Sequence, residues 1–284
     1  MSEGIGYAGD RFVSLTEPVV PIEDRAHQFG DGVYEVIRVY RGRPFLMEYH
    51  LDRFVKSANF ISLPLDRSTE DLRVLIHEAI ARAGFPEAQV YFQLSRGFAK
   101  REHGFPAIAS HLTLTVRPVD EGKLASLWRT GQQMILAEDI RWKHCHIKSL
   151  NLLPNVWTKQ MAIDSGAHDA IFVRDDRVTE CTSSNIAIVR DGVIITHPAN
   201  EWILHGVTRR FLLEHARSTG LPVEEAVFSP DSLFTADEVF TMGTLSEVTP
   251  VNMIDGREVG LHADLPGSIV RKLRSALREA AKLA

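Results

Sequence analysis

The 284-residue sequence carries 32 Lys and Arg against 37 Asp and Glu, a formal net charge of −5, with 44% hydrophobic and 24% charged residues. This balance suits a soluble globular chain of one large or two ordinary domains, and no molecule-wide positive field draws it to nucleic acid or an anionic membrane. The start, Met1-Ser2-Glu3-Gly4-Ile5-Gly6, lacks a cationic leader, and no apolar run approaches the about eighteen residues that span a bilayer. With only Cys145 and Cys181, outside any paired motif, the expectation is a cytoplasmic chain without disulfides.

In chain order, Leu51, Phe54, Val55 and Ala58 recur at i, i+3, i+4, i+7 and predict an amphipathic helix over roughly 46–61. Leu72, Leu75, Ile76, Ala79, Ile80 and Ala83 repeat that spacing, with Ser68 or Thr69 as cap and Gly84 as stop. Val90, Phe92 and Leu94 alternate with Gln89, Tyr91, Gln93 and Ser95, and Leu112, Leu114 and Val116 alternate with threonines, so both segments read as strands with one wet face. The polar stretch Arg117-Pro118-Val119-Asp120-Glu121-Gly122-Lys123 reads as a linker, giving domains 1–117 and 124–284 joined by 118–123.

The second part is richer in strands: 133–137, 170–173, and a hairpin from Asn185–Val189 through Asp191-Gly192 into Val193–Thr196. Helices are expected near 206–219, stopped by Gly220, and from about 266 to the end. The fold class is α+β, with two unequal layers.

Lys148 stands in the apolar run Ile147-Lys148-Ser149-Leu150-Asn151-Leu152-Leu153, where a desolvated amine would be a nucleophile for a carbonyl carbon. Most lysines are instead solvated surface charges. Glu180 is either a surface residue at a strand end or the carboxylate that keeps a pyridine nitrogen protonated. Arg53 suits a phosphate, or an ordinary salt bridge to Asp52 or Glu48. Gly206-Val207-Thr208 opens a helix whose free N–H groups and hydroxyl make a phosphate seat, and Thr241-Met242-Gly243-Thr244 is a second candidate or a plain turn. Arg101 and His103, if on an extended segment, would face one way and grip a carboxylate; otherwise they belong to a solvated loop. Gly30-Asp31-Gly32 lacks the spacing of a dinucleotide fingerprint, and His144-Cys145-His146 lacks a third ligand, so no metal is expected.

Taken in order, these segments resemble the successive motifs of the class IV, or fold-type IV, pyridoxal-phosphate aminotransferases. The resemblance rests on Glu23-Asp24-Arg25-Ala26-His27-Gln28-Phe29-Gly30-Asp31-Gly32-Val33-Tyr34-Glu35, His50-Leu51-Asp52-Arg53-Phe54 and the Lys148 run. It continues through Val178-Thr179-Glu180 with Ser183-Ser184-Asn185, Leu204-His205-Gly206-Val207-Thr208-Arg209 and Ser246-Glu247-Val248-Thr249-Pro250-Val251. Arg101-x-His103 with Tyr34 resembles the substrate-carboxylate trap of the subgroup that acts on D-amino acids.

The resemblance implies a smaller N-terminal α/β domain, a larger strand-rich C-terminal domain and pyridoxal 5′-phosphate between them. It makes Lys148 the Schiff-base lysine and proton carrier and Glu180 the partner of the pyridine nitrogen. Arg53, Val207, Thr208 and Thr244 would hold the phosphate, and Leu204 would pack behind the ring. Tyr34, Arg101 and His103 would bind substrate, with Arg101 and His103 supplied across a homodimer interface. The implied reaction is ping-pong transamination between a D-amino acid, such as D-alanine or D-glutamate, and a 2-oxo acid. Gly243-Thr244 looks instead like the branched-chain L-amino-acid enzymes, which remain the alternative, together with an aminodeoxychorismate-type lyase on the same fold.

Overall fold

The computed structural model describes residues 4–260 and 266–283. Backbone contacts divide the chain into two units, one running to Val119 and including Ile147–Asn151, the other comprising Asp120–His146 and the chain from Leu152 onward.

The first unit holds β1 (Ile5–Ala8), β2 (Arg11–Val13), α1 (Arg25–Phe29), β3 (Gly32–Tyr40), β4 (Arg43–Pro44), α2 (Met47–Phe60), α3 (Thr69–Ala83), β5 (Ala88–Ser95) and β6 (His111–Pro118). Its sheet runs β2-β1-β6-β5-β3-β4, with every pairing antiparallel. The helical stripes read from the sequence bury Leu51, Phe54 and Ala58 of α2 and Leu72, Leu75, Ile76, Ala79 and Ile80 of α3 against Val33, Ile37, Val90, Phe92, Leu114 and Val116. Phe54 and Phe92 meet at 4.9 Å between ring centroids, both fully buried, and burial of each such ring contributes about 1.5–3 kcal/mol.

Helix α3 starts on a reciprocal cap, Ser68 Oγ accepting from Asp71 N at 3.1 Å while Ser68 N donates to Asp71 Oδ2, and ends at left-handed Gly84. Ser95, expected on the wet face of β5, is fully buried because its hydroxyl donates to Asp24 Oδ2 at 3.0 Å.

The second unit comprises α4 (Glu121–Thr130), β7 (Gln132–Glu138), α5 (Leu153–Asp164), β8 (Asp169–Arg174), β9 (Arg177–Cys181), β10 (Asn185–Arg190), β11 (Val193–Thr196), α6 (Val207–Ser218), β12 (Val223–Glu225), α7 (Asp231–Phe234), β13 (Glu238–Gly243), β14 (Glu247–Ile254), β15 (Arg257–Glu258) and α8 (Ser268–Leu283). Its strands follow the order β12-β11-β10-β13-β14-β7-β8-β9, with β15 on β14. The pairs β11–β12, β14–β7 and β7–β8 are parallel, so the sheet is mixed. Helix α8 is anchored by Glu238, whose carboxylate accepts from Ile269 N and Val270 N at 2.9 Å each.

Two expectations change here. Residues 121–123, read as linker, form the first turn of α4, because Asp120 accepts from Lys123 N and caps the helix. The apolar run around Lys148, whose neighbours read as buried, is buried only in part: Ile147 and Ser149 are buried, Leu150 is half-buried, and Leu153 is 77% exposed where α5 begins.

Candidate active site

Within the first unit, Lys148 is fixed by its main chain. Tyr34 N donates to Lys148 O at 3.0 Å, and Lys148 N donates to Ser57 Oγ at 3.1 Å. Strand β3 and helix α2 therefore hold the residue from two sides, and Leu150 N donates to Gly32 O at 3.1 Å one step further on. The side chain leads Nζ to 4.2 Å from the Tyr34 ring centroid, a cation–π distance, and Tyr34 in turn packs on Tyr91 at 5.6 Å.

Beside it lies a buried ion cluster. Val33, Glu35 and Ile37 share one face of β3, so Glu35 is fully buried among apolar neighbours. Arg53 grips it bidentately, Nε to Oε1 at 2.7 Å and Nη2 to Oε2 at 2.9 Å, and His50 Nδ1 reaches Oε2 at 2.7 Å. The two acids close to it in sequence have other partners: Asp52 pairs with Lys56 and Glu48 with Arg73.

Burial alone would raise the Glu35 carboxyl; the charges of Arg53 and His50 outweigh it and bring it down to about 2. Burial lowers His50, with the Glu35 carboxylate that faces its Nδ1 pulling in the opposite direction. Because the Glu35 value falls from 4.5 in the unfolded chain to about 2, this group's contribution to stability, about 3 kcal/mol, is present above pH 4.5 and lost as pH falls toward 2. Glu35→Gln should therefore lower the melting temperature at pH 7 and flatten the acid limb of stability below pH 4.5. Chemical denaturation as a function of pH checks this, and an unchanged acid limb would remove Glu35 as its source.

In the second unit, Glu180 is 4% exposed within β9, not at a surface strand end. Leu204 N donates to both carboxylate oxygens, at 3.1 and 3.0 Å, Asn185 Nδ2 donates to Oε2 at 2.9 Å, and Arg141 Nη1 pairs with Oε1. Burial raises the Glu180 carboxyl above its ordinary value, with the Arg141 charge pulling in the opposite direction. Asn185 also donates to Leu204 O at 2.9 Å, and a Cβ on Gly206 would lie 2.0 Å from its Oδ1. Glycine at 206 thus leaves room for the side chain that orients Glu180.

Gly206 also precedes α6, so the first N–H groups of that helix lack intrahelical acceptors beside buried Val207 and Thr208. Thr244 opens the turn between β13 and β14, after Gly243.

Arg101 and His103 lie on an exposed loop, not a strand. They nevertheless share a platform, the Phe29 ring: Arg101 Cζ stands 4.8 Å from its centroid and the His103 ring 5.6 Å. Among the described residues neither shares a hydrogen bond or ring contact with Tyr34 or Lys148. His144 and His146 also lie off any strand, their rings 5.8 Å apart at 73°.

Several site residues received no role from the sequence. Glu35 was marked by a carboxylate in the apolar register Val33-x-Glu35-x-Ile37, which is the signature of a buried, paired acid. Arg141, which bridges Glu180 to Asp139 with Nη2–Oδ2 at 2.9 Å, carried no such mark, because Glu180 is brought to it across about forty residues by the fold alone.

The family model for amino-transferase class IV matches residues 32–254. The chain is 40% identical over 269 residues to a D-alanine aminotransferase of Bacillus licheniformis, covering 94% of each sequence. It is 41% identical over 254 residues to a D-alanine aminotransferase of Listeria innocua, covering 88% of this chain and 87% of that one. Its fold is similar to that of a hypothetical aminotransferase from Mycobacterium tuberculosis solved in its pyridoxal-phosphate-bound form, with a TM-score of 0.84, 26% identity and coverage of 98% of each chain. A family model spanning most of the chain, and relatives matched over nearly their whole length, settle its membership: the chain belongs to the pyridoxal-phosphate-dependent class IV aminotransferases.

Proposed function

We propose that the chain transfers the amino group of a D-amino acid, D-alanine or D-glutamate by preference, to a 2-oxo acid. The observation that carries the choice of substrate is the Arg101–His103 pair on Phe29, a fork and an imidazole suited to an α-carboxylate, in a chain about 40% identical to D-alanine aminotransferases.

The donor set fits the cofactor group by group: an amine at Lys148, a carboxylate at Glu180, and for the phosphate Arg53, Thr244 and the α6 start at Val207 and Thr208. Pyridoxal phosphate, when bound, withdraws electrons from the substrate Cα so that its proton becomes removable. The residues then divide the work. Lys148 Nζ takes and returns that proton, from a position set by β3 and α2. Glu180, oriented by Leu204, Asn185 and Arg141, keeps the pyridine nitrogen protonated. Leu204 would pack behind the ring, and Tyr34, Arg101 and His103 would hold the carboxylate. The first 2-oxo acid leaves before the second binds, which makes the cycle ping-pong.

Arg101, Glu102 and His103 are all exposed, and Phe98 and Phe105, which flank them in the chain, leave 40% and 64% of their surface open. Such a rim of large apolar side chains supports a homodimer in which this loop serves the partner's site. The cytoplasm is the proposed location, consistent with two free, buried cysteines; among the described residues no helix is long and apolar enough to cross a membrane.

Gly243, the feature shared with the branched-chain enzymes, has a local cause. A Cβ there would lie 2.6 Å from Ser246 Oγ and 3.2 Å from Ser184 Cβ, so a side chain at 243 would have to turn the Ser246 hydroxyl aside and press on Ser184, whatever the substrate. The purified protein should transaminate D-alanine with 2-oxoglutarate at least about a hundredfold faster, in kcat/KM, than L-leucine, a difference of about 2.7 kcal/mol between transition states. Preference for L-leucine, or release of pyruvate without amino transfer to 2-oxoglutarate, would overturn the proposal.

A further inference from the structure

The loop carrying Arg101 and His103 is exposed, yet its midpoint is tied to a buried side chain. Arg25, 3% exposed at the start of α1, donates from Nη1 to Glu102 O at 2.6 Å, the carbonyl of the one residue between the two. Its Nε donates to Asp31 Oδ2 at 2.8 Å, and its Cζ stands 4.9 Å from the Phe29 ring on which Arg101 and His103 rest.

Asp31 is shared. Arg96, 2% exposed, donates from Nε to Asp31 Oδ2 at 2.8 Å, while its Nη1 and Nη2 donate to Ser62 O and Ile61 O at 2.8 Å each. Its Cζ lies 3.6 Å from the ring of Phe105 at the far end of the loop. The near end is tied through the main chain, Arg25 N donating to Gly97 O at 3.0 Å and Ala99 N to Glu23 O at 3.1 Å. The loop is thus held at its entry, its middle and its exit, and two of these points converge on one carboxylate.

We propose that Arg25 is the positioning residue of the substrate-carboxylate trap. Through Glu102 O and the Phe29 ring it fixes the spacing of Arg101 and His103 before substrate arrives. This rests on the reading that Arg101 and His103 take the α-carboxylate. The physical reason is preorganisation: an exposed loop that had to order itself on binding would lose affinity to conformational entropy. Only a planar fork satisfies both acceptors and still lies against Phe29. A lysine ammonium keeps the charge but has one donor centre for two acceptors that lie in different directions.

The experiment compares the holoenzymes of wild type, Arg25→Lys, Arg101→Ala and the double variant. Arg25→Lys should raise KM for D-alanine about tenfold with kcat within about threefold, the pattern of lost binding common to ground and transition states. The visible band of the lysine-bound cofactor, and its rate of reaction with hydroxylamine, which carries no carboxylate, should stay at wild-type values. Amide hydrogen exchange over residues 100–105 should speed up in Arg25→Lys. In the Arg101→Ala background the Arg25 substitution should add clearly less than its tenfold effect in the wild type, because part of that effect is exerted through Arg101.

An unchanged KM in Arg25→Lys, full additivity in the double variant, or an equal slowing of the hydroxylamine reaction overturns the proposal while leaving transamination itself intact. An unchanged KM in Arg101→Ala overturns the carboxylate reading and the proposal with it. Should Arg25→Lys not fold, Phe29→Leu leaves the Asp31 ion pairs in place and removes the shared ring; it should reproduce the tenfold KM change, and a wild-type KM there counts against the platform.

Discussion

Lys148→Ala is expected to lower turnover with D-alanine by on the order of 10⁴-fold or more and to abolish the visible absorption of the lysine-bound cofactor. The fold should survive. What holds position 148 is main chain, Tyr34 N to its carbonyl at 3.0 Å and its own N–H to Ser57 Oγ at 3.1 Å, and alanine keeps both bonds. What is lost is Nζ, which stands 4.2 Å from the Tyr34 ring and makes no ion pair among the described residues. A melting temperature within a few degrees of wild type is therefore the companion expectation, since a half-buried side chain without polar partners costs little to truncate.

Borohydride reduction of the holoenzyme followed by peptide mapping gives the independent readout. The reduced cofactor should be found on the peptide containing Lys148. Attachment at any other lysine, or a visible band that persists in Lys148→Ala, would show that the amine has been assigned to the wrong residue.

The distance between sequence and structure differs from element to element, for physical reasons. Helices α2 and α3 were legible because each lays a continuous apolar stripe on one sheet, and the α3 ends carry the side chains that caps require. Strand β3 was not marked as a strand, because the face that should alternate apolar and polar carries Glu35 in the apolar register. That break in pattern was itself the trace of the Arg53–Glu35–His50 cluster. Helix α4 was missed for the opposite reason: Pro118 and Gly122 read as breakers, whereas Pro118 ends β6 and Gly122 sits in a first turn stabilised by the Asp120 cap.

The candidate residues were legible as types, not as a constellation. Glu180 looked like any acid near a strand end until β9 buried it under Leu204 N, Asn185 and Arg141. Nothing local in the sequence foretells that Gly206 is small for the sake of Asn185, since the two approach only when β10 and the start of α6 are both in place. The resemblance supplied what periodicity cannot, namely an expectation of which residues far apart in sequence would serve one cofactor.

Glu180→Gln is the second large effect expected, and it separates catalysis from folding. The substitution keeps the shape of the side chain and leaves Arg141 with a second carboxylate, since Asp139 accepts from its Nε and Nη2 at 2.9 Å each. It removes charge where the pyridine nitrogen is proposed to be held protonated, and it turns an amide N–H₂ toward donors that had faced an acceptor-only carboxylate. A partner for charge that develops in the transition state is worth on the order of 10²–10³ in kcat, so turnover should fall by that factor while the lysine-bound cofactor band persists.

The pH dependence gives the sharper test. Burial raises Glu180 above 4.5, against the pull of Arg141, so this carboxyl contributes stability to the cofactor-free protein below pH 4.5 and loses it as pH rises through the folded value. A protonated ring nitrogen held against the ionised form, as proposed, would reverse that strain. The increase in melting temperature caused by pyridoxal phosphate should therefore be larger at pH 7.5 than at pH 5 in the wild type. In Glu180→Gln it should shrink at pH 7.5, with less dependence on pH. An equal dependence in both proteins would mean that Glu180 does not face the cofactor's cationic nitrogen.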